Sequence, residues 1–154
     1  MKVGVVIVSH HEISLELVKA TESIVKANLS FESVAVFPSD SLEDAKQKVS
    51  QAIQKVDQRT GVLILSDLFG ASPCNACLSF LKKGKVELVT GMNLPMVLKL
   101  FTLQSQGLAC HHPPHRAGGA GWVDSPDKEM SLQELVDFII DYGQRNIVRG
   151  IAKI

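Results

Sequence analysis

The chain has 154 residues, of which 45% are hydrophobic and only 5% aromatic, so we expect one domain over residues 1–154 with an aliphatic core. Lysine plus arginine and aspartate plus glutamate both number 16, which makes the formal net charge zero. The sequence therefore lacks the basic excess of a nucleic-acid-binding protein, and it lacks the roughly 20 consecutive apolar residues of a membrane-spanning helix.

The amino terminus and the cysteines indicate the compartment. The first residues form a short apolar run without a small-residue cleavage site, which is typical of a first strand and not of a signal peptide. The chain has three cysteines, an odd number that does not suggest a disulfide framework. We therefore expect a protein of the reducing cytoplasm.

Short aliphatic runs alternate along the chain with segments whose apolar residues recur at helical spacing. In chain order, the pattern predicts strand 2–8, helix 12–27, strand 31–37, helix 42–56, strand 61–66, helix 71–82, strand 86–90, helix 94–103, helix 131–142 and strand 146–154. Ser41 and Asp44 resemble a capping box at the start of the second helix. The alternation predicts an α/β fold with a doubly wound, mainly parallel sheet and helices on both of its faces.

Residues 107–123 break this alternation. The segment reads GLACHHPPHRAGGAGWV and has neither a helical nor a strand period. It is an ordered loop, a flexible insertion or a sequence altered by a reading-frame slip, and of these we favour a mobile loop.

Polar residues stand at the ends of the first and third predicted strands. His10 closes the first in the stretch VVIVSHHEIS, and Asp67 closes the third. Parallel strands place their carboxyl ends at one edge of the sheet, where ligands bind in this class of fold. An aspartate bonded to one imidazole nitrogen fixes the tautomer and frees the other nitrogen as a nucleophile. The alternative is that His10 is merely a polar residue at a strand end.

The junction after the third strand reads DLFGASP and has the composition of a phosphate site. Gly70 and Ala71 allow close backbone approach, Ser72 is a good N-cap, and Pro73 suits the first helical position. The free N–H groups of that helix start would form an anion site facing His10. A nucleophilic imidazole beside such a site predicts phosphoryl transfer through histidine, whereas the alternative is an ordinary capped turn. The junction is not a Walker loop, and no GxGxxG follows the first strand, which disfavours dinucleotide binding.

Three sequence blocks in this order resemble the enzyme IIA component of the mannose-type sugar phosphotransferase system. They read IVSH at residues 7–10, GVLILSDLFGASPCNA at residues 61–76 and VTGMNLPM at residues 89–96. The resemblance covers residues 1–104 well and residues 131–154 loosely. Taken together, the blocks are far more specific than the dipeptide Ser-His alone.

The resemblance implies a role for each site residue. His10 would accept a phosphoryl group from the phosphocarrier protein HPr on its solvent-facing ring nitrogen and pass the group to a IIB component for sugar uptake. Asp67 would hold the other ring nitrogen. Ser72 and the backbone around Gly70 and Ala71 would bind the phosphoryl oxygens. The complete set expected to line the site is Ser9, Phe37, Ser39, Leu68, Phe69, Gly70, Ala71, Ser72 and Pro73.

The resemblance also implies an assembly. The chain would form a homodimer in which the terminal strand 146–154 is swapped, and it would associate indirectly with the membrane components IIC and IID. It would need no cofactor and no metal, and it would not bind nucleic acid.

Two features depart from the family. His11 stands where many members have a small residue such as glycine, and we expect it to be a solvent-exposed neighbour of His10 rather than a second functional group. Residues 107–123 do not match the family.

Three other functions are compatible with parts of the sequence. The related phosphotransfer subunit of dihydroxyacetone kinase shares the fold and the Ser-His ending, although the block DLFGASPCNA favours the sugar-transport branch. Cys74 and Cys77 form a C-x-x-C at a helix start, which is typical of redox sites, but cysteines also suit a helix packed on a sheet. Cys110, His111, His112 and His115 could make a metal-sensing loop, but their spacing matches no closed four-ligand pattern.

Overall fold

The computed structural model describes residues 3–57, 60–105 and 130–147. Four strands are β1 (Gly4–His10), β2 (Glu32–Val36), β3 (Val62–Ser66) and β4 (Val86–Thr90). Five α-helices are α1 (Ile13–Val25), α2 (Leu42–Val56), α3 (Ser72–Cys77), α4 (Leu94–Ser105) and α5 (Leu132–Arg145). The irregular segment 107–123 lies outside the described residues. Of the predicted terminal strand 146–154, residues 146 and 147 are described.

The four described strands form one parallel sheet in the order β2-β1-β3-β4, which confirms the predicted α/β class. The strands β1 and β3 lie at the centre and are almost entirely buried, because their near-continuous aliphatic sequences present apolar side chains to both faces. Their register pairs Val8 with Ser66, so the residues that follow them emerge at the same edge of the sheet.

Helices cover both faces of the sheet. Val5, Ile7, Leu63 and Leu65 share one hydrophobic cluster with buried residues of α1, α4 and α5. The alternate residues of the same strands, among them Val6 and Ile64, pack with α2 and α3 in a second cluster. The sheet is therefore doubly wound, as the sequence predicts.

Capping boxes define the starts of two helices. The hydroxyl of Ser41 accepts the backbone N–H of Asp44, whose side chain accepts the backbone N–H of Ser41 in return. Ser131 and Glu134 form the same arrangement at α5. The box at α2 confirms the sequence-based expectation.

The third helix is shorter than predicted. The sequence predicts residues 71–82, whereas α3 ends at Cys77 and a single 3₁₀ turn, Leu78–Phe80, follows it. Lys82 then pairs with Val86 through an isolated antiparallel bridge, and Gly84 adopts a φ of 72°. The chain must reverse direction to enter β4 parallel to β3. This tight turn includes Lys82, which the helical pattern had assigned to the helix.

We expect Gly4→Ala to lower the free energy of unfolding by about 1–3 kcal/mol, as overpacking does in a rigid core. An added Cβ at Gly4 would lie 2.6 Å from the carbonyl oxygen of Val56, a backbone atom that cannot move aside alone. Urea denaturation of the variant and the wild type measures the difference.

The matched control is Gly143→Ala on α5. There the added Cβ would meet only side-chain atoms of Met96, the nearest at 2.7 Å, and a methionine side chain can rotate away. Alanine also favours a helix over glycine. If Gly4→Ala has the same free energy of unfolding as the wild type, or loses no more of it than Gly143→Ala, then the nearby Val56 backbone does not limit the size of residue 4.

Candidate functional site

The structure brings His10 and Asp67 into direct contact at the carboxyl edge of the sheet. His10 is the last residue of β1, and Asp67 follows the last residue of β3. The Nδ1 atom of His10 lies 2.8 Å from Oδ2 of Asp67. The backbone N–H of His10 donates to the same oxygen at 2.9 Å. One carboxylate oxygen thus fixes both the main chain and the ring of His10.

This contact determines the tautomer of His10. An ionised carboxylate can only accept hydrogen bonds, so Nδ1 carries the proton that it donates to Asp67. In the neutral ring, Nε2 then bears the lone pair. The His10 side chain is 39% exposed, whereas that of Asp67 is 17% exposed. A reactant can therefore reach the imidazole while the carboxylate behind it remains largely shielded.

The surroundings of Asp67 favour its charged form. Partial burial raises the pKa of Asp67, but hydrogen bonds from the His10 backbone, from its imidazole and from the Leu68 backbone together outweigh burial and lower that pKa below its ordinary value. The second oxygen, Oδ1, accepts the N–H of Leu68 at 2.8 Å and lies 3.4 Å from the hydroxyl of Ser66. The aspartate is held at both oxygens and serves as a fixed anion.

His11 adopts a backbone conformation that glycine adopts readily. Its φ is 47°, in the left-handed region that costs a non-glycine residue about 1–2 kcal/mol. Its N–H donates to the carbonyl oxygen of Val36 at 2.9 Å, and its exposed ring stands edge-on to Phe37 with 5.4 Å between centroids. This φ explains physically why a small residue suits the position.

Phe37 and Ser39 lie in the loop between β2 and α2, at the same edge of the sheet. Oδ2 of Asp40 accepts the N–H of Phe37 at 2.9 Å and the ammonium group of Lys48 at 2.6 Å. The Lys48 ammonium also lies 5.6 Å from the centre of the Phe37 ring. The hydrogen bond from Lys48, followed by that from the Phe37 backbone, lowers the pKa of Asp40.

Asp40 and Lys48, which hold this loop, were not among the predicted site residues. The acidic residue in the turn PSDS is a recognisable signal, because aspartate often bonds nearby backbone N–H groups in turns. Lys48 lies eight residues further along, on α2, and only the fold brings it back to the turn.

The loop between β3 and α3 projects apolar side chains into solvent. Leu68 is 59% exposed and Phe69 is 78% exposed. Gly70 follows with a φ of 77°, a conformation suited to glycine. The Nδ2 group of Asn75 donates to the Gly70 carbonyl oxygen at 3.0 Å and so ties the loop back to α3.

The start of α3 differs by one residue from the prediction. Ala71 is the N-cap, without a side-chain cap, and Ser72 is the first helical residue, so the expectation that Ser72 caps the helix was wrong. Pro73 consequently occupies the second position and not the first. The shift has a physical cause, since Gly70 turns the chain so that Ala71 is already in the extended conformation of a cap, with ψ of 171°.

Ser9 lies behind the site. Its side chain is fully buried, and its hydroxyl oxygen accepts the N–H of Ser14 at 2.7 Å. Ser9 was expected to line the site, but its hydroxyl contacts the backbone of the β1–α1 turn.

The geometry of the C-x-x-C motif opposes redox chemistry. Cys74 and Cys77 are buried free thiols. The Cys77 thiol donates to the carbonyl oxygen of Pro73 at 3.1 Å, and burial raises the pKa of Cys77 to about 12. Such a thiol is protonated and inert at neutral pH, so these cysteines act as small core residues.

The described residues hold neither a cluster of metal ligands nor a helix that could span a membrane. Residues 3–57, 60–105 and 130–147 contain no group of three or more His, Cys, Asp or Glu residues placed to hold a metal ion. None of the helices in those ranges has the length and hydropathy to cross a bilayer. The predicted cluster of Cys110, His111, His112 and His115 lies outside the described residues.

The lowered pKa of Asp67 predicts a pH-dependent contribution to stability. A carboxyl whose folded pKa lies below the unfolded value stabilises the fold fully above the unfolded pKa, and this stabilisation disappears as the pH falls through the folded pKa. We expect the difference in unfolding free energy between the wild type and Asp67→Asn to be constant above about pH 5 and to shrink below about pH 4.

Urea denaturation at a series of pH values measures this difference. The other carboxyls with lowered pKa, Asp40 and Asp44, are present in both proteins and cancel. Asp137→Asn, at an exposed position of α5, is the control. A difference that stays constant down to about pH 2.5 would contradict the assignment of Asp67 as the stabilised anion.

The family model described as "PTS system fructose IIA component" matches residues 4–111. The fructose-specific EIIA component of Bacillus subtilis is 26% identical over 103 residues, which cover 66% of this chain and 70% of that protein. The mannose-specific EIIAB component of Escherichia coli is 28% identical over 154 residues, which cover 99% of this chain but only 41% of that longer protein.

The fold also matches solved structures. The mannose/sorbose-specific IIA subunit from Enterococcus faecalis superimposes with a TM-score of 0.74 at 20% identity, over 100% of this chain and 98% of that one. At that identity the likeness concerns the fold alone. The family model, which spans more than half of the chain, shows that the protein belongs to the mannose, fructose and sorbose family of enzyme IIA components of the sugar phosphotransferase system.

Proposed function

We propose that this chain is a phosphohistidine carrier: His10 accepts a phosphoryl group from phospho-HPr and passes it to a IIB component. Membership of the family implies a part in phosphoryl transfer for sugar uptake, without naming the residue that carries the phosphoryl group. The observation that carries the finer proposal is the hydrogen bond of 2.8 Å between Nδ1 of His10 and Oδ2 of Asp67. It prepares the opposite ring nitrogen to act as a nucleophile.

The transfer step follows from that geometry. The lone pair of His10 Nε2 attacks the phosphorus atom, a nitrogen–phosphorus bond forms, and the bond from phosphorus to the donor breaks. The imidazole acquires positive charge as the bond forms, and the fixed carboxylate of Asp67 stabilises this charge through Nδ1–H. The reverse sequence delivers the phosphoryl group to the next acceptor.

The phosphoryl oxygens require donors on the facing side of the site. We assign this role to the Ser72 hydroxyl and to the backbone around Gly70 and Ala71. A Cβ added at Gly70 would meet nothing within 4 Å, so the space beside this residue is open. Phe37 and Ser39 complete the lining, whereas Pro73 is buried in the first turn of α3.

Protein partners would dock on the loop that carries Leu68 and Phe69. Two adjacent large apolar side chains at 59% and 78% exposure are unusual for a surface loop, and such residues often anchor an interface. Their position directly after Asp67 would bring HPr or a IIB component within reach of His10.

The proposed assembly is a cytoplasmic homodimer that meets the membrane components IIC and IID through its IIB partner. Within the described residues, β4 is the last strand of the sheet, and apart from the bridge of Val86 to Lys82 it pairs with β3 alone. Such an edge accepts a further strand. We assign that place to residues 146–154 of a second copy, most of which lie outside the described residues.

A phosphotransfer subunit of a dihydroxyacetone kinase system would use a similar histidine. The relatives in Bacillus subtilis and Escherichia coli are fructose- and mannose-specific components, which favours the sugar-uptake system. The two functions differ in the acceptor, so transfer from the phosphorylated protein to a IIB component separates them.

We expect enzyme I and HPr to phosphorylate the wild-type chain from radiolabelled phosphoenolpyruvate, through an acid-labile bond. His10→Ala should remove all label, because of the two histidines in the described ranges it is His10 that is bonded to a carboxylate. His11→Ala is the matched control and should retain the label. Label that survives in His10→Ala and disappears in His11→Ala would place the phosphoryl group on the wrong residue.

We expect Asp67→Ala to slow the transfer by about tenfold to a hundredfold, since it loses orientation of the ring and stabilisation of its charge. Rapid-quench measurement of labelling gives the rate, and far-ultraviolet circular dichroism shows that the variant is folded. An unchanged rate in a folded variant would remove Asp67 from the mechanism.

We expect Phe69→Ser to raise the KM for phospho-HPr about tenfold with little change in kcat, the effect of removing an anchor residue from an interface. Ile24→Ser is the control, because Ile24 is also 56% exposed but lies near the end of α1 that is remote from the carboxyl edge. An equal KM for both variants would exclude the loop of Leu68 and Phe69 as the docking site.

A further inference from the structure

We infer that Ser9 is a positioning residue for phosphoryl transfer, which acts by holding the turn that presents His10 to Asp67. The inference deepens the proposed function and rests on it. Ser9 is the residue before His10 and is fully buried, so it acts without touching a phosphoryl group.

Ser9 supplies the cap that α1 lacks. The N-cap of α1 is Glu12, which makes no side-chain hydrogen bond to the helix. The hydroxyl oxygen of Ser9 instead accepts the N–H of Ser14, the second residue of α1, at 2.7 Å. This is the bond that an N-cap side chain normally makes. A residue on the strand therefore closes the turn from behind.

Ser14 extends the connection to the neighbouring strand. Its hydroxyl donates to the carbonyl oxygen of Val34 on β2 at 3.1 Å, and its side chain is fully buried. The two serines thus join the end of β1, the start of α1 and β2 in one buried arrangement. Residues 10–13 lie between them, so this short turn is tied to the scaffold at both of its ends.

The turn between the serines is strained, which gives the cap its importance. His11 has a φ of 47°, a conformation that a non-glycine residue leaves when its neighbours permit. The Ser9 hydroxyl also lies 3.5 Å from the carbonyl oxygen of His11, so a second, longer contact joins Ser9 to the strained residue. Loss of the Ser9 hydroxyl would let His11 relax, and the adjacent His10 would move with it.

His10 is sensitive to such movement because two of its donors converge on one atom. Its backbone N–H and its Nδ1–H meet Oδ2 of Asp67 at 2.9 Å and 2.8 Å. A rotation of the backbone cannot preserve both bonds. The ring would then lose its fixed Nδ1–H tautomer, and less of the protein would present a free lone pair at Nε2.

The test compares Ser9→Ala with Thr21→Val, a matched loss of a buried hydroxyl. Thr21 is fully buried on α1, and its hydroxyl bonds only within the helix, to the carbonyl oxygen of Leu17 at 2.8 Å. The first readout is the tautomer of His10 in the unphosphorylated protein, from two-bond nitrogen–proton NMR spectra. The second is the kcat and the KM for phosphoryl transfer from HPr.

We expect the Nδ1–H tautomer of His10 to predominate in the wild type and in Thr21→Val, and to lose ground to Nε2–H in Ser9→Ala. The kcat of Ser9→Ala should fall by about tenfold to a hundredfold with the KM for HPr unchanged, as expected for a misplaced nucleophile. Ser9→Cys has a side chain of similar shape with a weaker acceptor, so its kcat should lie between those of the wild type and Ser9→Ala. It also provides the test if Ser9→Ala does not fold.

Relief of strain should rescue the defect. Glycine adopts the conformation of His11 at no steric cost, so Ser9→Ala combined with His11→Gly should recover the tautomer and much of the kcat. An unchanged tautomer in folded Ser9→Ala or Ser9→Cys, or the same defect in Thr21→Val, would overturn the role of Ser9. Failure of the wild type to accept phosphate would refute the proposed function and leave the tautomer result standing by itself.

Discussion

The carboxylate of Asp67 receives two hydrogen bonds from one residue, and the arrangement of the site follows from them. Backbone and imidazole of His10 both donate to Oδ2, at 2.9 Å and 2.8 Å. This is possible because β1 and β3 are adjacent parallel strands with Val8 in register with Ser66, so His10 and Asp67 leave the sheet side by side. The buried aliphatic sequences of the two strands place them at the centre of the sheet, with helices packed on both faces.

The loops around this pair are held by polar contacts from the scaffold. Asp40 and Lys48 fix the loop of Phe37, and Asn75 ties the loop that contains Gly70 to α3. The imidazole of His10 is partly exposed, and the apolar side chains of Leu68 and Phe69 project into solvent beside it. A site that is rigid behind the nucleophile and exposed in front of it suits transfer between proteins, in which two different partners must reach the same nitrogen in turn.

The sequence predicted the four described strands and the pairing of His10 with Asp67, because aliphatic runs mark buried strands and parallel topology places their ends together. The predicted length of α3 was too great, because the helical spacing of apolar residues continues into the segment that forms the turn around Gly84. The sequence could not identify Lys48, which depends on the return of α2 to the β2 loop. Nor could it show the left-handed φ of His11, although the preference for a small residue at that position was a signal of it.

The central claim is that Asp67 holds Nδ1 of His10 and leaves Nε2 to carry the phosphoryl group. The most direct measurement is the nitrogen NMR spectrum of the phosphorylated protein, labelled at its histidines, because coupling to phosphorus identifies the bonded ring nitrogen. We expect coupling at Nε2 of His10, with a proton retained on Nδ1. Coupling at Nδ1 would show that the Asp67 contact breaks on phosphorylation and that Nε2 is not the acceptor.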